Sequence, residues 1–184
     1  MLFRSHRYVH DVMADSRFAE FLLAYMEDEG TPSLLPVPGM DLNAYRHELI
    51  ARFGNAAIKD TVARLCAESS DRIPKWLLPV VRENLESGQA PVTLSAAIVA
   101  SWARYAEGVD EQGHAIDIND RMAERLKENA SANHEDILAF LRDREVFGDL
   151  VDMEEFTAAY ADTLRSLHEV GAEATLDKLL AARN

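Results

Sequence analysis

Apolar residues recur along this chain at intervals of three and four, the period of a helix that packs on one face. From Ser16, "SRFAEFLLAYMEDEG" puts Phe18, Phe21, Leu22 and Tyr25 on one stripe, with Asp15 or Ser16 placed to cap the start and Gly30 beyond the end. "TPSLLPVPG" (31–39) holds three prolines, which lack the N–H and the free φ of a regular helix, and is expected to cross the surface as a loop. Asp41 is then placed to cap "LNAYRHELIARF", apolar at Leu42, Tyr45, Leu49 and Ile50 and stopped by Gly54. "AIKDTVARLCAE" predicts a short helix carrying Ile58, Val62 and Leu65 inward.

"TLSAAIVASWARYAEG" (93–108) is the most apolar helical stretch, and its small residues on several faces predict a central helix packed on more than one side. "VDEQGHAID" (109–117) is turn chemistry around Gly113, and 119–184 predicts three or four amphipathic helices with charged outer faces. Alternating β-branched runs are nearly absent, so the fold class is all-α. "MLFRS" has neither cap nor periodicity; it reads as a frayed end or as residues foreign to the fold that begins at His6. The expected division is 1–5 unmatched and 6–184 one helical domain.

A length of 184 residues suits one domain, and an apolar fraction of 48% suffices for a core. The net charge of −13 argues against nucleic acid or an anionic membrane as a general partner, since phosphate binding needs concentrated Lys and Arg. The single cysteine, Cys66, excludes an internal disulfide framework and a Cys-based zinc site, and fits a reducing cytoplasm. No apolar run approaches the roughly 20 residues of a membrane span, and the first residues lack the features of a signal peptide.

Most candidate chemistry dissolves on inspection. His6 and His10 stand at i,i+4, but without a Glu between them or a third ligand they read as partly exposed histidines. His47, His114, His134 and His168 read as surface residues. Ser69, Ser70 and Asp71 lack a Gly-x-Ser-x-Gly elbow and read as a helix-stopping turn. Glu154 and Glu155 read as solvated helix surface. There is no Gly-x-Gly-x-x-Gly or P-loop, so these residues do not bind a dinucleotide in the usual way. Charge is more informative: residues 52–82 carry six cations and three anions, within a chain that is otherwise strongly acidic. Pro74 and Pro79 fall in that segment, so residues 69–78 are expected to form a constrained turn, followed by a helix from about Pro79 to Gly88. Arg64, Arg72 and Lys75 would then converge on a ligand rich in oxygens. The competing explanation is that these cations pair with carboxylates and favour helix C-termini.

The stretches "RYVHDVM", "PVPGMDL", "YRHELIARF", "SSDRIPKWLLP" and "SWARYAEGVDEQG" together resemble the C-terminal domain of the long-chain mannitol dehydrogenase family, most strongly its bacterial mannitol 2-dehydrogenases. The resemblance covers the chain from about His6 onward. It implies a helical substrate domain that works beside an N-terminal Rossmann domain holding NAD, with polyol and ketose as substrates and no metal. It also implies that D-mannitol and D-fructose are interconverted by hydride transfer. The family's Lys-x4-Asn-x2-His motif is not in this sequence, so no catalytic or cofactor-binding residue is assigned here and the chain alone is expected to be silent. By the resemblance, Arg64 contacts substrate hydroxyls, and so does Arg72, which stands where several relatives have lysine. Lys75 is added from its place in the turn alone. The alternatives are the same domain of a fructuronate reductase (mannonate dehydrogenase), or a stand-alone helical module that binds a partner protein.

Overall fold

The computed structural model describes residues 6–36 and 38–183; the "MLFRS" segment and its suspected boundary lie outside them. The helices in chain order are α1 (Val9–Met13), α2 (Ser16–Tyr25), α3 (Leu42–Phe53), α4 (Val62–Cys66) and α5 (Ser69–Arg72). They continue as α6 (Leu78–Ser87), α7 (Thr93–Ala106), α8 (Ala123–Ser131), α9 (Arg144–Phe147) and α10 (Glu154–Ala181). Among the described residues, β-structure is limited to isolated bridges, Tyr8 with Thr61 and Val109 with Ala115. No helix among them is long and apolar enough to cross a membrane.

The centre is α7 packed along α10. Val99, Ala100 and Ala103 of α7 and Phe156, Tyr160 and Leu164 of α10 are fully buried. The alanines let the two backbones approach, while each large side chain withdrawn from water contributes about 1.5–3 kcal/mol. Trp102 meets Phe140 edge-on at 5.1 Å and Phe147 at 5.6 Å between ring centroids, closing the core against α9 and the segment before it. The many-sided burial predicted for 93–108 is what the structure contains.

The start of α7 is capped from a distance. Its preceding residue, Val92, offers no side-chain acceptor. Glu29 supplies one from the π-turn Met26–Gly30 that ends α2, accepting from the backbone N–H of Leu94 at 2.6 Å and of Ser95 at 2.8 Å. Asn84 Nδ2 of α6 donates to the Glu29 carbonyl at 3.1 Å, so one buried residue ties three elements together. Burial raises the Glu29 carboxyl above its ordinary value, although the donated bonds pull the other way.

Asp41 caps α3 as expected, accepting from Asn43 and Ala44, and 31–39 is irregular at each described position. Several expectations need correction. None of α3 is buried, and Tyr45 is 39% exposed, so its apolar stripe covers no core. Ile58 and Leu65 do not point inward: they are 51% and 40% exposed, and only Val62 is buried. The cause is local, because residues 55–60 turn, with Lys59 at φ +52°, and five-residue α4 is too short to carry a stripe. The stretch 69–78 is wound as well: α5 runs into a π-turn, Ile73–Leu77, closed by the Leu78 N–H on the Ile73 carbonyl. The wider π spacing relieves the clash of a proline ring with preceding carbonyls, so the chain keeps winding past Pro74 and Pro79. α6 then ends at Gly88, φ +60°, as predicted.

Candidate functional site

The basic segment is anchored through Asp60. The Val9 N–H donates to the Asp60 carbonyl at 2.9 Å and the Val62 N–H to Arg7 at 3.2 Å, pinning the start of α4 against the first described residues. The Thr61 hydroxyl caps α4 by accepting from the Arg64 N–H at 3.3 Å. Arg64 then reaches back one turn and grips Asp60 with both edges of its fork, Nε on Oδ1 at 2.6 Å and Nη2 on Oδ2. That grip holds the Asp60 carboxyl below its usual range. Arg72 lies against the other end of α4, where its Nη1 donates to the carbonyls of Arg64 at 3.3 Å and Leu65 at 3.2 Å. A cation there satisfies carbonyls that a helix end leaves unpaired.

The structure therefore brings Arg64 and Arg72 together at one short helix. Lys75 is placed differently: its ammonium sits 5.2 Å from the centroid of Trp76, a ring that is 68% exposed. Both readings of the segment contain part of the arrangement, since Arg64 has a carboxylate partner and Arg72 has helix-end carbonyls. Among the described residues no carboxylate lies within ion-pair distance of Arg72.

Ser70 and Asp120 explain the polar run between the arginines. The Ser70 N–H and hydroxyl donate to the two Asp120 oxygens at 2.9 and 2.6 Å, and the Glu68 N–H donates to the Asn119 carbonyl at 2.9 Å. This clamp fixes α5 and hence the backbone that carries Arg72. The Ser69 hydroxyl donates to the Cys66 carbonyl at 2.9 Å, so both serines serve the turn and neither faces a histidine as a nucleophile would. Asp120 escaped the sequence reading because its partner is 50 positions away; the only local signal is its own Asx-turn to Met122. His10 stacks on Tyr8 and lies 3.3 Å from Asp11. His168 differs from a plain surface residue, since its Nε2 lies 2.7 Å from Oε1 of buried Glu107 and its ring stacks on His134.

Beside Arg72 opens a cavity of about 380 Å³, bounded by α4, α5, α7, the 109–111 turn and α10. Leu65, Ile73, Ile98, Trp102 and Leu167 make it largely apolar, and Arg72 is in its wall whereas Arg64 and Lys75 are not. Its titratable neighbours Cys66 and Tyr105 are kept neutral: burial raises the thiol, and raises the phenol to about 12. Neither the cavity nor the arginine pair has the form of a dinucleotide site, because the described residues contain no parallel strands and no glycine-rich strand-to-helix turn. No group of three His, Cys, Asp or Glu among the described residues is placed to hold a metal.

Comparison with known proteins places this geometry in context. The family described as mannitol dehydrogenase C-terminal domain matches residues 2–168. Mannitol 2-dehydrogenase of Phaeosphaeria nodorum is 35% identical over 170 residues, covering 92% of this chain and 29% of that protein. The Cereibacter sphaeroides mannitol 2-dehydrogenase is 35% identical over 174 residues, covering 95% and 36%. Among solved structures, Pseudomonas fluorescens mannitol 2-dehydrogenase in ternary complex with NAD and D-mannitol superposes with a TM-score of 0.91 at 35% identity, covering 98% of this chain and 37% of that one. A substrate-free D-sorbitol dehydrogenase shares the fold at a TM-score of 0.82 and 22% identity, covering 95% of this chain and 36% of its own. The chain thus spans roughly a third of the length of these relatives.

Proposed function

Because the chain belongs to the mannitol dehydrogenase C-terminal domain family, we propose that it is the substrate-side part of an NAD-dependent mannitol 2-dehydrogenase interconverting D-mannitol and D-fructose. The names of its relatives and the NAD and D-mannitol of the Pseudomonas fluorescens complex support that reading. NAD belongs to a domain outside these residues, as does the group that handles the hydroxyl proton. This chain binds and orients the polyol.

The observation that carries the reading is the ordered pair Arg64 and Arg72, one forked on Asp60 and the other tethered to the end of α4. Held this way, their remaining N–H donors point without further loss of rotamer freedom, which is what fixing several hydroxyls requires. Lys75, on its exposed turn, has the weakest support of the three.

The test belongs in an enzyme that joins these residues to a cofactor domain. Arg64→Ala and Arg72→Ala are each expected to raise KM for D-mannitol roughly tenfold or more, the loss of a charge-assisted hydrogen bond. Lys75→Ala is expected to change KM less than threefold. Unchanged KM in both arginine variants would remove the proposed site, and a kcat/KM higher for mannonate than for mannitol would reassign the substrate to a sugar acid. Alone, the chain is expected to give no mannitol-dependent NAD reduction above a blank.

A further inference from the structure

The cavity beside Arg72 is chemically mismatched to a polyol. A polyol carries a hydroxyl on every carbon, and each one set against Leu65, Ile73, Ile98 or Leu167 would lose its water for no partner. These walls suit a hydrocarbon body, and about 380 Å³ lies within the range of small-molecule sites.

One wall group supplies a specific polar contact. Arg72 spends only Nη1 on the carbonyls of Arg64 and Leu65, and among the described residues its Nε and Nη2 have no hydrogen-bond partner. Those two atoms form the side-on edge of the guanidinium, spaced to take both oxygens of a carboxylate. The other charged groups of the wall are committed elsewhere. Arg104 donates to Glu107 at 3.0 Å and to the Val109 carbonyl at 2.9 Å. Asp110 accepts from the N–H groups of Gln112 and His114, and Glu111 accepts from Ala172 at 2.8 Å. Cys66 and Tyr105, raised by burial, add no charge at neutral pH.

We propose that this cavity binds a small carboxylic acid with an apolar aliphatic or aromatic body, its carboxylate forked on Nε and Nη2 of Arg72 and its body among Ile73, Ile98, Trp102 and Leu167. The site shares Arg72 with the proposed polyol site but takes a different ligand. It is tested on this chain with neither polyol nor NAD present, so either reading can fail without the other.

The probes are octanoate and 1-octanol, titrated by calorimetry and by tryptophan fluorescence. Octanoate is expected to bind roughly tenfold tighter than 1-octanol, the margin of a charge-assisted fork. Arg72→Gln is expected to erase that margin while leaving 1-octanol unchanged. Ser101→Phe, made at an exposed position of the cavity wall, is expected to abolish binding of both. Equal affinities in the parent, a margin that survives Arg72→Gln, or no octanoate binding would each overturn the proposal. Should Arg72→Gln fail to fold, the Arg72 Nε–H resonance of the parent decides: it shifts with octanoate and not with 1-octanol, or the site is not there.

Discussion

At the scale of single residues, Glu29 shows how a carboxylate becomes structural. It is fully buried and caps α7 through two backbone N–H groups. Glu29→Ala leaves both donors without an acceptor and is expected to cost about 2 kcal/mol or more, read as a lower Tm. Because burial raises the folded-state pKa above the unfolded one, the contribution of Glu29 is largest below the unfolded value and shrinks as pH rises through the folded value. The deficit of Glu29→Ala should therefore be larger near pH 5 than near pH 8, and an equal deficit at both would contradict this. Arginine-paired aspartates behave oppositely. Arg17 brings Asp15 down to about 2, and Asp60, Asp136 and Asp149 are held low by Arg64, Arg142 and Arg82. The stabilisation from Asp15 is complete above the ordinary aspartate value near 3.8 and is lost as pH falls through about 2, and that from the other three is lost as pH falls through their own lowered values, so acid unfolding monitored by circular dichroism is expected below the ordinary aspartate range. Arg64 and Arg72 could be named from composition and resemblance, but their partners could not. Asp60 was counted only as a charge, and the carbonyls that hold Arg72 belong to the backbone.

At the scale of elements, α10 was the least legible. The stretch "DMEEFTAAYADTLRSLHEVG" reads as one of the amphipathic helices expected within 119–184, and winding continues past its Gly171 to Ala181. Gly171 has φ +83° and ψ 175°, a break inside one long element. Glu111 restarts the helix by accepting from the Ala172 N–H at 2.8 Å. A Cβ on Gly171 would meet Glu111 Oε1 at 3.0 Å, in a backbone region that L-residues resist. Gly171→Ala is expected to destabilise by about 1–2 kcal/mol, with faster amide exchange confined to 172–181 at first. Uniform exchange along α10 in that variant would show that the cap is not what holds the second half. Nothing local marks Glu111 as a cap for a helix 61 positions onward, just as nothing local marks Glu29 for α7. Caps within reach of their own helix, such as Asp15 and Asp41, were legible because both partners lie in one short window.

At the scale of the whole molecule, the core lies on α7 and α10, and the early helices are thinly covered. Leu35 is 85% exposed, Leu34 54%, Ile58 51% and Met40 47%. Apolar side chains so open to water favour association. The isolated chain is expected to self-associate at high concentration in sedimentation velocity, and Leu35→Glu to shift it toward monomer; a parent that stays monomeric throughout would argue against a docking face here. The C-terminal turn of the fold is tied back by Arg183, forked on Asp28 at 2.6 Å and touching Glu27 at 2.6 Å, a surface network worth little by itself. The sequence alone determined the helical class, the central place of 93–108, the proline-rich loop and the family, because periodicity, prolines and motifs are properties of neighbouring residues. Only the tertiary structure decided which stripes meet a core, how the chain winds through Pro74 and Pro79, and which distant acids cap α7 and restart α10. It also set Arg72 between the end of α4 and an apolar cavity. Those outcomes depend on burial and on partners tens of residues away, and a local pattern specifies neither.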